Sequence, residues 1–355
     1  MKTKELLKSS AAGLVLIASI FAVLVLVLWL AKLDVGASLA AIMKNAFGSP
    51  FAFSRTLVRA TPLIFCGVAL CLAWKAGMFN IGAEGQYVAG GLFAAAVYKF
   101  VPQSPEFTLQ ILILVAGCLG GALAAGLAAW LQIKRGVQVV ISTILLNFIL
   151  LGMLGWAVNG PLKEASKQRP MTDRIPESLL LWRPFDGLEV NLGVFLALAF
   201  AVGSWLYLAR SKGGFHLRLV GENQKAARAS LVSVENVQLK AMASSGALAG
   251  LAGAVTYLGI SRQVGEGFAE GFGFLAIPVA LLGGLNPLGA AAVGLGFGAL
   301  MAGGEGLART SPIGSSLVTL IQAIAVLGYL GFLAWKAAQP EPVLPDEHHQ
   351  EASPA

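Results

Sequence analysis

Charge is what this sequence has least of: only 12% of its 355 residues are Asp, Glu, Lys or Arg, where a soluble domain carries roughly a quarter. The shortage is concentrated. No charged residue occurs from Ala11 to Ala31, Phe107 to Leu131, Gly136 to Leu162, Val190 to Ala209 or Ala241 to Ser261. Each run is long enough to cross the hydrocarbon layer, which takes roughly 20 helical residues. A soluble protein would interrupt such runs with the polar faces of amphipathic helices, so water is not the main solvent of this chain.

Cysteine and histidine are equally scarce, at three each. Cys66, Cys71 and Cys118 all fall in apolar stretches and read as small core hydrophobes, which excludes a disulfide framework or thiolate metal site. His216, His348 and His349 have no neighbouring ligands in the pattern of a metal centre, and no metal is expected. No GxxxxGK[ST] phosphate loop occurs, so the chain lacks the backbone cradle that would hold ATP phosphates. No histidine stands with a plausible nucleophile or a second zinc ligand, so no catalytic residues are assigned. The net charge of +7 is not arranged as an aromatic-interleaved basic patch, which argues against nucleic acid and for loops beside anionic lipid.

What is present is a succession of apolar segments. Backbone groups in lipid must be satisfied internally and the alternation of barrel strands is absent, so the fold class is all-α: a polytopic transmembrane bundle of about ten spans. The spans are expected near residues 11–31, 57–74, 82–100, 108–131, 138–157, 190–209, 237–258, 272–285, 288–303 and 316–335. Lys2, Lys4 and Lys8 precede the first run. That run exceeds the h-region of a signal peptide, so it reads as an uncleaved helix. Broken or short helices are expected near 75–86 and 272–303, the second because Gly283, Gly284, Asn286 and Pro287 interrupt an uncharged tract.

The organisation follows: a cytoplasmic N-terminus at 1–10, a transmembrane domain at 11–336 and a disordered, Pro- and Glu-rich cytoplasmic tail at 337–355. An even span count with a Lys-rich start puts both termini in the cytoplasm. Residues 158–189 then form an external loop with five Lys/Arg, and the basic loop within 210–236 is cytoplasmic; Arg210 to Lys240 holds six Lys/Arg. Residues 32–54 read as an amphipathic piece along the outer surface. Gly117 with Gly121, Gly246 with Gly250, and Gly294 with Gly298 recur at an interval that lets helix backbones approach closely.

Two segments carry candidate chemistry. Phe79-Asn80-Ile81-Gly82-Ala83-Glu84-Gly85-Gln86 places a carboxylate and two amides between apolar runs. A charge at the bilayer centre costs about 2.5–3.5 kcal/mol on insertion scales. Two readings stand side by side: a broken helix lining a translocation path, and an interfacial turn with Glu84 in water. Gly221-Glu222-Asn223-Gln224-Lys225-Ala226-Ala227-Arg228 offers Asn223 as the cap of a short helix, which is either an ordinary solvated loop helix or a docking element for a soluble partner.

The Phe79 to Gln86 string, Val139-Val140-Ile141-Ser142-Thr143-Ile144-Leu145-Leu146-Asn147, the Leu217 to Arg228 string, the Ser245 to Ala254 string and Val279 to Gly289 resemble in order the blocks of one family. That family comprises the inner-membrane permeases of binding-protein-dependent ABC importers for branched-chain amino acids, simple sugars and nucleosides. FNIGAEGQ, VISTILLN and the insert Asn159-Gly160-Pro161-Leu162 are most similar to the longer permease of nucleoside-type importers. The resemblance implies a multi-pass inner-membrane subunit that binds no cofactor itself, with ATP and Mg at a partner ATPase. Its further partners are a second, shorter permease in a heterodimer and an extracytoplasmic substrate-binding protein. It implies coupling to the ATPase through Arg218, Gly221, Glu222, Asn223, Ala226, Ala227 and Arg228. Asn80, Glu84, Gln86, Asn147 and Asn286 are expected to border the path of a small polar solute. The departures are Gln224, where relatives have proline, and Leu231, where glycine is usual. Phe79, Phe148 and Trp156 are candidate surfaces for a nucleobase. The alternatives are a sugar or branched-chain amino acid permease, an ion-coupled secondary transporter and a non-transporting scaffold.

Overall fold

The computed structural model describes residues 34–166 and 168–310, together with Ala22, Val25, Leu26, Trp29 and Ala323. The chain divides into two units, Gly36–Ser315 and a second made of Met1–Val35 with Ser316–Ala355. Apart from those five positions, the expected spans at 11–31 and 316–335 lie outside the described residues, as do the N-terminus and the tail.

Pro50–Lys75 (α2), which carries no charge from Ala60 to Trp74, takes the centre of the bundle. Ser49 caps it, its hydroxyl accepting from the Ala52 N–H at 3.0 Å, and Pro50 stands at the first helical position, where a missing N–H costs nothing. Its apolar window is 89% buried, against 28% for Val139–Asn159 (α5) and 33% for Leu192–Arg210 (α6). The last two therefore present most of their surface outward. Val35–Phe47 (α1) precedes α2 and buries Ser38, Ile42 and Ala46, one stripe at helical spacing.

Against α2 pack α6, Val234–Thr256 (α9), Phe272–Leu282 (α10) and Pro287–Thr310 (α11), with Ala83–Phe100 (α3) touching it more lightly, while Glu106–Arg135 (α4) packs on α3 and α9. Lys212–Glu222 (α7) and Gln224–Ala229 (α8) fill the basic loop. α4 ends at Gly136, whose φ of 71° lets the Gly136 and Val137 N–H groups close back on the carbonyls of Gln132 and Leu131, the glycine C-cap that helices favour.

Six helices among the described residues are long and apolar enough to cross a membrane: α2, α4, α5, α6, α9 with its extension to Ser261, and α11 as far as Leu307. Two other expected spans exist as helices without meeting that standard. α3 carries Glu84 and Lys99, and α10 has 11 residues, about 16 Å at 1.5 Å per residue. The break expected within 272–303 is observed: Gly283–Asn286 turns the chain, with Gly284 and Leu285 at positive φ. The helix beyond it is not short, because α11 runs for 24 residues.

The glycine pairs act where their spacing placed them. Gly117 and Gly121 of α4 face Gly246 and Gly250 of α9, while Gly90 of α3 meets Gly250 from another side. Gly294 and Gly298 lie against Ile64 and Ala60 of α2.

The segment following α5 lies against the segment following α9. Thr172 and Ile175 donate their N–H groups to the carbonyls of Val264 and Arg262, at 2.8 and 3.0 Å. Asp173 fastens this flap to α3, accepting from Lys99 Nζ at 2.5 Å and from the Ala165 N–H at 2.7 Å. The hydrogen bond from Lys99 holds the Asp173 carboxyl below its ordinary value against the opposing effect of partial desolvation. Because the folded pKa is depressed, the stabilisation is present above the unfolded value of about 3.9 and is lost as pH falls through the folded one. Protection factors across 163–175, that is amide exchange corrected for its intrinsic pH dependence, are expected to fall below about pH 4, and Asp173→Asn to lower them at neutral pH and remove that dependence. Protection factors unchanged between pH 6 and 3 would show that this contact does not hold the flap.

Candidate functional site

Between Lys75 and Ala83 the chain leaves the helix and, Phe79 apart, stays buried or half-buried. Gly77 turns it at φ 73°, Ala76 and Met78 are fully enclosed, and α3 begins only at Ala83. An irregular backbone inside a bundle leaves N–H and C=O groups that the protein must satisfy. The polar residues of the segment do this.

The side-chain amides of Asn80 and Gln86 pair reciprocally: each Nδ2 or Nε2 donates to the other's carbonyl oxygen at 2.9 Å. Asn80 also donates to Ser245 Oγ on α9 at 3.0 Å and accepts from the Gly82 N–H at 2.8 Å. Asn147 reaches in from α5, accepting from the Gly85 N–H at 2.8 Å and donating to the Ile81 carbonyl at 2.9 Å. Thr143, one helical turn before it, accepts from the Ile81 N–H. Trp74 closes the turn by donating Nε1 to the Asn80 carbonyl at 3.0 Å.

Glu84 is 1% exposed, which decides against the reading of an interfacial turn in water. Its two carboxylate oxygens accept from the N–H groups of Gly271 at 2.9 Å and Gly273 at 2.6 Å. One carboxylate thus stands in the first turn of α3 and at the open N-terminus of α10, where orphan amides and the helix dipole both favour negative charge.

Three of the expected path residues, Asn80, Gln86 and Asn147, are therefore gathered around the broken segment with their polar atoms occupied by protein partners, and a fourth, the buried Glu84, turns to α10 instead. The fifth is elsewhere. Asn286 is exposed and caps α11 by accepting from the Leu288 N–H at 3.0 Å. Phe79, Phe148 and Trp156 are more than half exposed, so they do not line an enclosed pocket. Thr143, Ser245 and the amides of Gly271 and Gly273 were not singled out from the sequence. Their signal was weak, because a hydroxyl within an apolar helix is ordinarily satisfied by its own backbone.

The basic loop folds into two short helices at an angle set by Asn223. Its side chain accepts from the Ala226 N–H at 3.0 Å, so it caps α8 as expected. Glu222, Asn223, Ala226 and Arg228 are exposed, while Ala227 packs with Val220 and Val234. Arg228 pairs with Glu235 at 2.9 Å, and Arg218 donates to the Leu208 carbonyl. Gly221 is not at positive φ. It is needed for another reason: a Cβ there would overlap the Lys75 carbonyl and lie 3.2 Å from the Gly77 nitrogen. Leu231 takes φ 59° and is 96% exposed, so leucine here adopts the left-handed conformation that glycine adopts freely.

Residues 52–327 match the family described as the branched-chain amino acid transport system permease component. The chain belongs to this permease family. It is similar to a glucose ABC transporter permease protein of Haloferax volcanii, 34% identical over 79% of this chain and 76% of the relative. It is also similar to a guanosine ABC transporter permease protein of Bacillus subtilis, 32% identical over 85% of this chain and 87% of that one. A nucleoside ABC transporter permease protein of Lactococcus lactis is 28% identical over 74% of this permease and 75% of its own length. No solved structure matches. The permease is thus a multi-pass membrane subunit of an ABC importer.

Proposed function

We propose that this permease forms the translocation path for nucleosides or related small polar solutes. A separate ATPase powers it, a second, shorter permease completes the path and an extracytoplasmic binding protein delivers the solute. The observation that carries the mechanical part is the contact of Gly221 with the Lys75–Gly77 turn. α7 and α8 hold the exposed, basic face available to an ATPase, and their glycine touches the start of the non-helical segment that carries Asn80 and Glu84. A push on the loop is thereby passed to the one place where the central helix is interrupted. On this reading 210–236 and both termini are cytoplasmic, 158–189 is external, and the buried amide and carboxylate cluster braces the broken helix around which the path opens.

Substituting Gly221 by valine is expected to separate ATP hydrolysis from transport. The β-branched side chain displaces α7 from α2 while leaving the membrane-spanning helices unaltered, and Arg228→Glu removes the pair with Glu235 and reverses the charge offered to the ATPase. Both variants should insert, then either lose the ATPase on purification or hydrolyse ATP with at least tenfold less solute moved per ATP. Wild-type coupling in both would make this loop a plain connector.

The nucleoside assignment draws on the guanosine and nucleoside permeases among the relatives, and the glucose permease at 34% identity favours a sugar as the second reading. Uptake of labelled guanosine, glucose, ribose and leucine by the reconstituted importer, at constant ATP with ion gradients collapsed, decides between them. Guanosine uptake is expected to persist under these conditions. Glucose, ribose or leucine uptake without guanosine moves the assignment, and accumulation by this chain alone on a proton or sodium gradient refutes the ABC mechanism.

A further inference from the structure

α9 does not end as an ordinary helix. Its last turn, Tyr257–Ser261, widens to a π-helix, and Arg262 follows at φ 62°. Both are costly departures that cluster at functional sites. Beside them is a cavity of about 260 Å³, just below the usual range of ligand pockets and suited to part of one small solute rather than a chain.

Its walls combine two kinds of surface. Phe268 and Phe272 are aromatic; Tyr87 stacks against Phe268 from behind, at 5.0 Å between centroids and 18° between planes. Tyr87 and Phe272 pack at 5.9 Å, so the rings form a fixed cluster. Opposite in character are Thr256, Ser261 and Gln263. Gln263 is the under-satisfied member. Its Nε2 donates only to the Met171 sulfur, a weak acceptor, and its amide oxygen accepts from no group among the described residues. A half-buried primary amide with spare capacity beside an aromatic cluster matches a planar heterocycle that carries N–H and carbonyl groups on its edge.

We propose that the cavity bounded by Phe268, Phe272 and the Gln263 amide is a subsite for the nucleobase of the transported solute. The planar base lies against the apolar wall at the small part of Phe268 that the packing leaves open, and Gln263 hydrogen-bonds its edge. The inference rests on the nucleoside reading above and names the residues that would make it so. A hexose offers hydroxyls but no π face. Arg59 closes one side of the cavity through Glu270 at 2.7 Å and is held to α11 by Glu305 at 2.9 Å, so the subsite lies where α2, α11 and the 262–271 loop are tied together by ion pairs. Glu84 fixes the other end of that loop through Gly271 and Gly273. The base is thereby placed next to the brace of the broken helix.

The test uses the complete importer in proteoliposomes with 8-azidoadenosine as photoprobe. Label is expected on the peptide covering 256–272, and excess guanosine should abolish it. Phe268→Ala and Gln263→Leu are each expected to lower guanosine transport about tenfold, the order of a lost base stack, and Phe268→Tyr to restore it. Wild-type photolabelling decides the matter if Phe268→Ala fails to assemble. Label confined to other segments while guanosine is still transported overturns the subsite and leaves the nucleoside reading intact, as do wild-type rates in both variants. An importer that moves glucose and no nucleoside overturns both.

Discussion

Gly250→Ala is expected to destabilise the permease by about 3 kcal/mol, the upper part of the range for overfilling a packed core, seen as a lowered unfolding midpoint of the detergent-solubilised protein. The added methyl has no space. Its carbon would overlap the Gly117 carbonyl and come within 2.9 Å of both Cα and N of Gly121. These are backbone atoms of a helix and cannot rotate aside as a side chain does. Gly90 approaches the same residue from α3, so three helices are held at the separation that glycine allows. Gly126→Ala, on α4 with nothing within 4 Å, is the contrasting case. It is expected to be neutral or to gain up to about 1 kcal/mol of helix propensity. Equal midpoints for Gly250→Ala and wild type would mean that α4 and α9 do not meet backbone to backbone.

Glu84→Ala is expected to abolish transport in a protein that still inserts. The substitution removes the acceptors of two N–H groups, that of Gly273 buried and that of Gly271 partly so, at about 1–3 kcal/mol for a buried group left unsatisfied. It also withdraws a negative charge from the N-terminus of α10. The penalty falls on the junction between the broken helix and the 262–271 loop and not on the six long helices, so expression and membrane insertion should be close to wild type while solute moved per ATP falls more than tenfold. Glu84→Gln keeps one carbonyl oxygen and turns an amide donor toward the other N–H, so an intermediate loss is expected. Wild-type transport by Glu84→Ala would show that the α10 amides find other partners and that this carboxylate does not brace the loop.

The sequence by itself determined the solvent, the element type and the places where elements break. Uncharged runs of span length leave a backbone in lipid only helices or closed barrels, and the break signals at Gly77 to Gly82 and at Gly283 to Pro287 acted through local backbone geometry that neighbouring residues dictate. The four-residue glycine spacings foretold close helix contacts for the same reason, since i and i+4 share a face. The Asn223 cap was legible because its acceptor and donor are three residues apart. Only the tertiary structure decided which groups satisfy which. Glu84 binds amides 187 and 189 residues away, Asn80 meets Ser245 across 165 residues, and Arg59 pairs with Glu270 across 211. Nothing in a local pattern selects such partners. The same is true of Gly221, whose necessity comes from the Lys75 carbonyl pressed against it and not from its own φ. It is true again of Phe268 and Gln263, which stand in an unremarkable loop sequence until the π-turn of α9 and the ring of Tyr87 give them a cavity to face. A bundle in lipid gains little from hydrophobic burial between its helices, so the long-range pairing of a few polar groups and the direct contact of glycine backbones set the arrangement, and both depend on distances that exist only after folding.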